Sequence, residues 1–129
     1  MRTTPVERLA AIILGAEAVV LLGLAGWELV ALVSGDTESV SSSIALLVLT
    51  AVGAAALVAF AAAVWRGASW GRSGGIVAQL LTLAVALGAI SGEDPQVGIA
   101  AAIAVPAVIG FVALVASARV AGRRVRESD

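Results

Sequence analysis

Two carboxylates, Glu17 and Glu28, are the only charged groups inside the long apolar stretches of this 129-residue chain. A carboxyl held away from water can take up and release a proton, bind a cation, or join helices by hydrogen bonds. Their separation of eleven residues amounts to three helical turns plus about 20°, so both face the same way about 16 Å apart. Leu21 and Leu24 lie between them on that face. Along a helix, Glu17 is about 13 Å beyond Arg8 and Glu28 about 12 Å short of Asp36, so neither reaches an end by snorkelling. An acid at mid-helix costs up to about 3 kcal/mol on membrane insertion. Each is therefore expected to face a bundle interior and find a partner.

Depth nominates those partners. Gln79 and Thr82 lie about 10 and 15 Å from Arg72, bracketing the level of Glu17, and Thr50 lies about 10 Å from Ser43, near the level of Glu28. No basic residue reaches either depth. Burial without a cation favours the protonated carboxyl, which donates one hydrogen bond that Gln79 or Thr82 can accept.

Little other chemistry is open to the chain. It has no Cys, His, Lys or Tyr and a single Met. Disulfides, thiol and Schiff-base nucleophiles, Cys/His metal sites and the usual haem ligands are thereby excluded. No metal site, cofactor or enzymatic activity is expected.

The elements that must position the two acids are apolar helices. Hydrophobic residues make up 60% of the chain and charged residues 13%, about half the usual share of a soluble domain. The mean hydropathy is +1.06. Charges and turn residues cut the sequence into four spans, at about 9–33, 44–65, 74–91 and 97–118, with an Arg-rich tail at 119–129. About 20 helical residues cross a hydrocarbon core of about 30 Å, and only the third span is short. The fold class expected is all-α: one transmembrane four-helix bundle covering residues 1–129. The first span is too long for a signal-peptide core and is expected to be retained.

The direction follows from sorting the charges. All eight basic residues are arginines: Arg2, Arg8, Arg66, Arg72, Arg119, Arg123, Arg124 and Arg126. Every one lies at the N-terminus, in the second loop or in the tail. The first and third loops hold only Asp36, Glu38, Glu93 and Asp94. With Glu7, Glu127 and Asp129 counted, one side carries 8 − 3 = +5 and the other −4. Arg-rich short loops stay cytoplasmic, which places both termini inside, and Trp65 and Trp70 flank the inner boundary.

Helices in lipid associate through close packing and polar contacts. Ala51, Ala55, Ala59 and Ala63 form a small-residue stripe on span two, and Gly88 and Gly92 form a G-x-x-x-G on span three. Pro106 in span four cannot donate to the Ala102 carbonyl, so a kink is expected there. Loop 66–75 has glycines but no G-K-[ST] and no preceding strand, which argues against a nucleotide site. It reads as a tight turn anchored by Trp70. Arg66, Arg72, Arg119, Arg123, Arg124 and Arg126 are expected to meet lipid phosphates. No basic soluble module suggests nucleic-acid binding.

The Arg/Trp-rich turn, the segment from Ile76 through Gln79 to Gly88, and Ala16-Glu17-Ala18 resemble small, uncharacterised four-span integral membrane proteins of actinobacterial type. That resemblance implies a multi-pass protein of a bacterial plasma membrane and carries no activity. The layout is also similar to small multidrug-resistance transporters, with four spans and a glutamate in the first. This chain departs from them in having no Tyr and a strict charge bias. Two functions stay open. One is a non-enzymatic accessory or assembly subunit, or a homo-oligomer, whose partners are lipids and another membrane protein or itself. The other is a small proton- or cation-coupled transporter using Glu17.

Overall fold

The structure, a computed structural model, describes residues 4–128, with the Ser128 side chain excluded. Arg2 and Asp129, counted above in the charge balance, lie outside the described residues. Four helices follow in order: α1 (Pro5–Val33), α2 (Val40–Trp65), α3 (Ser69–Ile90) and α4 (Val97–Ser128). Each is long and apolar enough to cross a membrane. In hydrocarbon every backbone N–H and C=O must be satisfied within the segment, and a continuous helix does that.

Side-chain caps and glycines set the ends. Thr4 caps α1, its Oγ1 accepting from Glu7 N at 3.2 Å, and Pro5 occupies the first turn, where its missing N–H does no harm. Ser39 caps α2, accepting from Ser42 N. Helices α1 and α2 both end on a glycine in the left-handed region, Gly35 at φ 74° and Gly67 at φ 78°. The following amides, Asp36 N and Ala68 N, fold back onto Ala31 O and Ala63 O at 2.9 and 2.8 Å. That is the bond pattern by which a glycine ends a helix and satisfies its last carbonyls.

Several boundaries differ from the sequence reading. The turn between α2 and α3 occupies only residues 66–68, so Trp70, Arg72 and Ser73 belong to α3, not to a loop reaching Gly75. This lengthens the short third span to 22 residues, about 33 Å. Serines 41–43 likewise lie within α2. In α4 the Arg-rich tail is helical, and the helix runs uninterrupted through Pro106, whose ring is exposed. An outward-facing proline removes one hydrogen bond without driving its ring into a neighbour.

Packing closes the four helices into a ring. The α1/α2 and α3/α4 hairpins pack most extensively, and looser α2/α3 and α1/α4 faces join them. The core is Ala10, Ala11, Leu14 and Ala18 from α1 with Leu57 and Val64 from α2 and Ala113 and Leu114 from α4. All of α1's buried residues lie at or before Ala18, so the bundle is tight toward its arginine-bearing end and thin toward its acidic end.

Glycines on α3 permit the tight end. A Cβ at Gly71 would lie 2.8 Å from Val64 N, and one at Gly75 would lie 3.0 Å from a Leu114 methyl and 3.2 Å from one of Leu14. Of the alanine stripe of α2, Ala63 takes part: it is buried, and its Cβ would stand 2.5 Å from a Cβ at Gly71. Ala51, Ala55 and Ala59 are exposed, and the buried face runs through Thr50, Ala54, Leu57 and Val64. Gly88 meets nothing within 4 Å and Gly92 lies beyond the end of α3, so the G-x-x-x-G packs no neighbour within the chain.

Gly71→Val must push α3 off the α2 backbone and is expected to lower unfolding stability in detergent by about 1–3 kcal/mol. Gly88→Val should stay within about 0.5 kcal/mol of the parent. Equal stabilities for the two variants would contradict the close approach at Gly71.

Candidate functional site

Gln79 is the largest polar side chain withdrawn fully from the surface, at 0% exposure. It falls on the stripe of α3 that contains Gly71 and Gly75, spaced four residues apart on one helix face. The two glycines draw that face inward, and Gln79 follows them to the middle of the bundle. On α1, Glu17 is half-buried between the buried Leu14 and Ala18.

The two side chains meet. Gln79 Nε2 donates to Glu17 Oε2 at 2.7 Å, joining α1 to α3 across the ring, since these helices are not among its packed pairs. The amide is seated against Gly110 of α4, where a Cβ would stand 3.1 Å from both Gln79 Cδ and Ile13 Cγ2. Glu17 Oε1 and Gln79 Oε1 are buried and have no hydrogen-bond partner. A carboxyl and a primary amide can form two bonds face to face, but the second requires a proton on the acid.

Glu28 and Thr50 are also brought together. Thr50 Oγ1 lies 3.1 Å from Glu28 Oε1 and 2.8 Å from Leu46 O. A hydroxyl has one proton. It is shared between those two acceptors. Glu28 Oε2 is a third buried atom without a partner.

Other candidate residues are placed elsewhere. Thr82 does not meet Glu17; its Oγ1 donates to Ala78 O of its own helix at 2.8 Å. It lines instead an apolar groove of about 570 Å³ between α2 and α3, with Gly53, Phe60 and Leu81, and neither Glu17 nor Gln79 is in that wall. Arg72 Nη1 donates to Gly67 O at 3.0 Å, tying α3 to its preceding turn. Arg66 ends α2, and Arg119, Arg123, Arg124 and Arg126 are exposed on the last three turns of α4. Arg8 stands over the Trp65 ring, 5.8 Å from its centroid, and Trp70 meets Phe60 edge-on at 6.2 Å.

Two buried polar residues escaped the sequence reading. Glu7 is only 2% exposed, although it was counted among the peripheral charges. Its signal was present: Thr4-Pro5-Val6-Glu7 has the S/T-x-x-E spacing of a helix start. Ser117 is fully buried on α4 and donates to Ala113 O at 2.8 Å, a self-contained hydroxyl. No three His, Cys, Asp or Glu side chains among the described residues stand close enough to hold a metal ion.

No protein-family model, curated protein or solved structure matches this chain.

The Glu17–Gln79 bond is expected to appear as a coupling of about 0.6–1.7 kcal/mol in a double-mutant cycle between Glu17→Leu and Gln79→Leu, measured by unfolding in detergent. Thr82→Val should change stability by less than about 0.5 kcal/mol. Additive effects at positions 17 and 79 would remove the bond from the account of the fold.

Proposed function

We propose that this chain is a non-enzymatic multi-pass membrane protein that works by association, as an accessory or assembly subunit of a membrane complex or as a homo-oligomer. The localisation we assign is a bacterial plasma membrane with both termini cytoplasmic, supported by the arginine bias of one end of the bundle. The loops span residues 34–39, 66–68 and 91–96, too short to build an aqueous active site.

The observation that carries the association reading is the unequal use of glycine. Gly71, Gly75 and Gly110 each have neighbouring atoms where a side chain would stand, whereas Gly23, Gly26, Gly88 and Gly98 meet nothing within 4 Å. A helix interior glycine is less favourable than alanine by about 1 kcal/mol, and in lipid its use is to admit another helix closely. Gly15 and Gly122 are open as well, in the packed half, but Gly23, Gly26, Gly88 and Gly98 lie together in the half of the bundle where α1 buries no residue and where Glu28 Oε2 lacks a partner. Gentle detergent extraction from native membranes, followed by mass spectrometry of what co-purifies, is expected to recover a stoichiometric partner or a homo-oligomer. The Gly23→Leu/Gly26→Leu variant should lose that partner with its own unfolding unchanged. A monomer from both would sink the association reading.

A second reading, a small proton- or cation-coupled transporter, is favoured by the unpartnered Glu17 Oε1 and Gln79 Oε1 in the middle of the bundle. Uptake of a proton by Glu17 would supply the missing donor, and its release would leave the single bond from Gln79 Nε2. Glu17→Gln keeps the shape and hydrogen-bonding capacity of the side chain but has no exchangeable acid proton. On this reading it folds normally and abolishes pH-dependent flux in proteoliposomes. Flux equal to that of the parent would remove Glu17 from any transport mechanism.

A further inference from the structure

A separate site lies at the arginine-bearing end, away from Glu17. Two adjoining cavities of about 300 and 430 Å³ open between the start of α3 and the end of α4, sharing Ile76, Ala118 and Gly122 in their walls. Such volumes fall in the range of small-ligand sites. Arg72 enters from α3, and Arg119, Arg123 and Arg126 enter from α4. The three α4 arginines are spaced i, i+4, i+7, which keeps them on one helix face. Neither wall contains an acid; Glu127, the nearest in sequence, is exposed and lines neither cavity. Arg72 uses one N–H on Gly67 O, and its guanidinium has others to offer.

The cleft has a direction. Ile76 and Val115 stand four residues nearer the apolar spans than Arg72 and Arg119, about 6 Å deeper along their helices. Charge therefore sits above an apolar wall, matching a molecule with an anionic head and a hydrocarbon body. Gly122 lines both cavities, and the space beside it is open, since a Cβ there would meet nothing within 4 Å.

We propose that this cleft binds one anionic phospholipid. The phosphate is held by the guanidinium groups of Arg72 and Arg119 with Arg123 or Arg126, and the first acyl carbons lie along Ile76, Val115 and Ala118. Arg72 lines the first cavity and Arg119, Arg123 and Arg126 line the second, so a head group seated over the wall the two share, Ile76, Ala118 and Gly122, has arginines of both helices beside it. The apolar floor favours a lipid over a free phosphate. This site goes beyond the association and transport readings and requires only that α3 and α4 cross the bilayer.

The test is native mass spectrometry of the full chain in detergent, titrated separately with phosphatidylglycerol, phosphatidylcholine and glycerol 3-phosphate. One phosphatidylglycerol should be retained at concentrations where neither of the others is. Arg119→Gln and Arg123→Gln should each weaken retention by roughly fivefold. Gly122→Leu fills the cleft while leaving every arginine in place, and should weaken retention at least as much. Gly98→Leu, at an open glycine near the acidic end, should leave retention unchanged. Unaltered retention in Gly122→Leu would overturn the cleft in favour of diffuse attraction. Equal binding of phosphatidylcholine would overturn the requirement for an anionic head, and equal binding of glycerol 3-phosphate would make the ligand a soluble phosphate. Helicity and unfolding temperature check the fold of each variant; should Gly122→Leu misfold, Gly122→Val narrows the same cleft with a smaller side chain and carries the comparison.

Discussion

In hydrocarbon, an apolar side chain gains almost nothing by turning from lipid toward another helix, and this constraint shapes the whole bundle. The large residues Val19, Leu22, Trp27, Leu49 and Val85 are all more than half exposed, which in water would be ruinous and in lipid is neutral. What holds the helices is close approach, and close approach requires missing side chains. Gly71 and Gly75 on α3 and Gly110 on α4 supply them. Helices α3 and α4 come close to their neighbours where these glycines act, although leucine and valine are spread along the full length of the bundle.

The same constraint gives the polar residues more weight than their number suggests. Gln79 is at once the side chain that the glycines admit and the group that fixes α1 against α3. Water is not available to compensate for an unmade bond, so the orphaned oxygens of Glu17, Glu28 and Gln79 are each unfavourable as they stand. One added proton on Glu17, or a donor from another molecule near Glu28, would relieve them. Structure and any function inside the membrane therefore draw on the same few atoms.

How much of this was legible in the sequence depended on how rigid the rule was. The α-helix has a fixed rise, so depths counted from Arg72 and Ser43 were enough to pair Gln79 with Glu17 and Thr50 with Glu28. Thr82 was nominated by the same count and failed, because depth does not specify which way a side chain turns and a threonine can satisfy itself on its own helix. The buried face of α2 was illegible for a deeper reason. A helix apolar all round has no polar stripe to mark its outside, so the alanine pattern at 51, 55 and 59 carried no information about direction. The start of α3 was hidden by Arg72 and the glycines, which read as turn residues until α3's packing against Val64 is known.

The two ends of the bundle end up with different tasks. At the arginine-bearing end, α3 and α4 are held together closely, with Arg72 lining one cavity and Arg119, Arg123 and Arg126 the cavity beside it. At the acidic end, no α1 residue beyond Ala18 is fully buried, and Gly23 and Gly26 stand open. The Glu17–Gln79 bond stands between them, at the last level where α1 residues are fully buried. It separates the half of α1 that is buried in the core from the half that is held by the Glu28–Thr50 contact and leaves its glycines open.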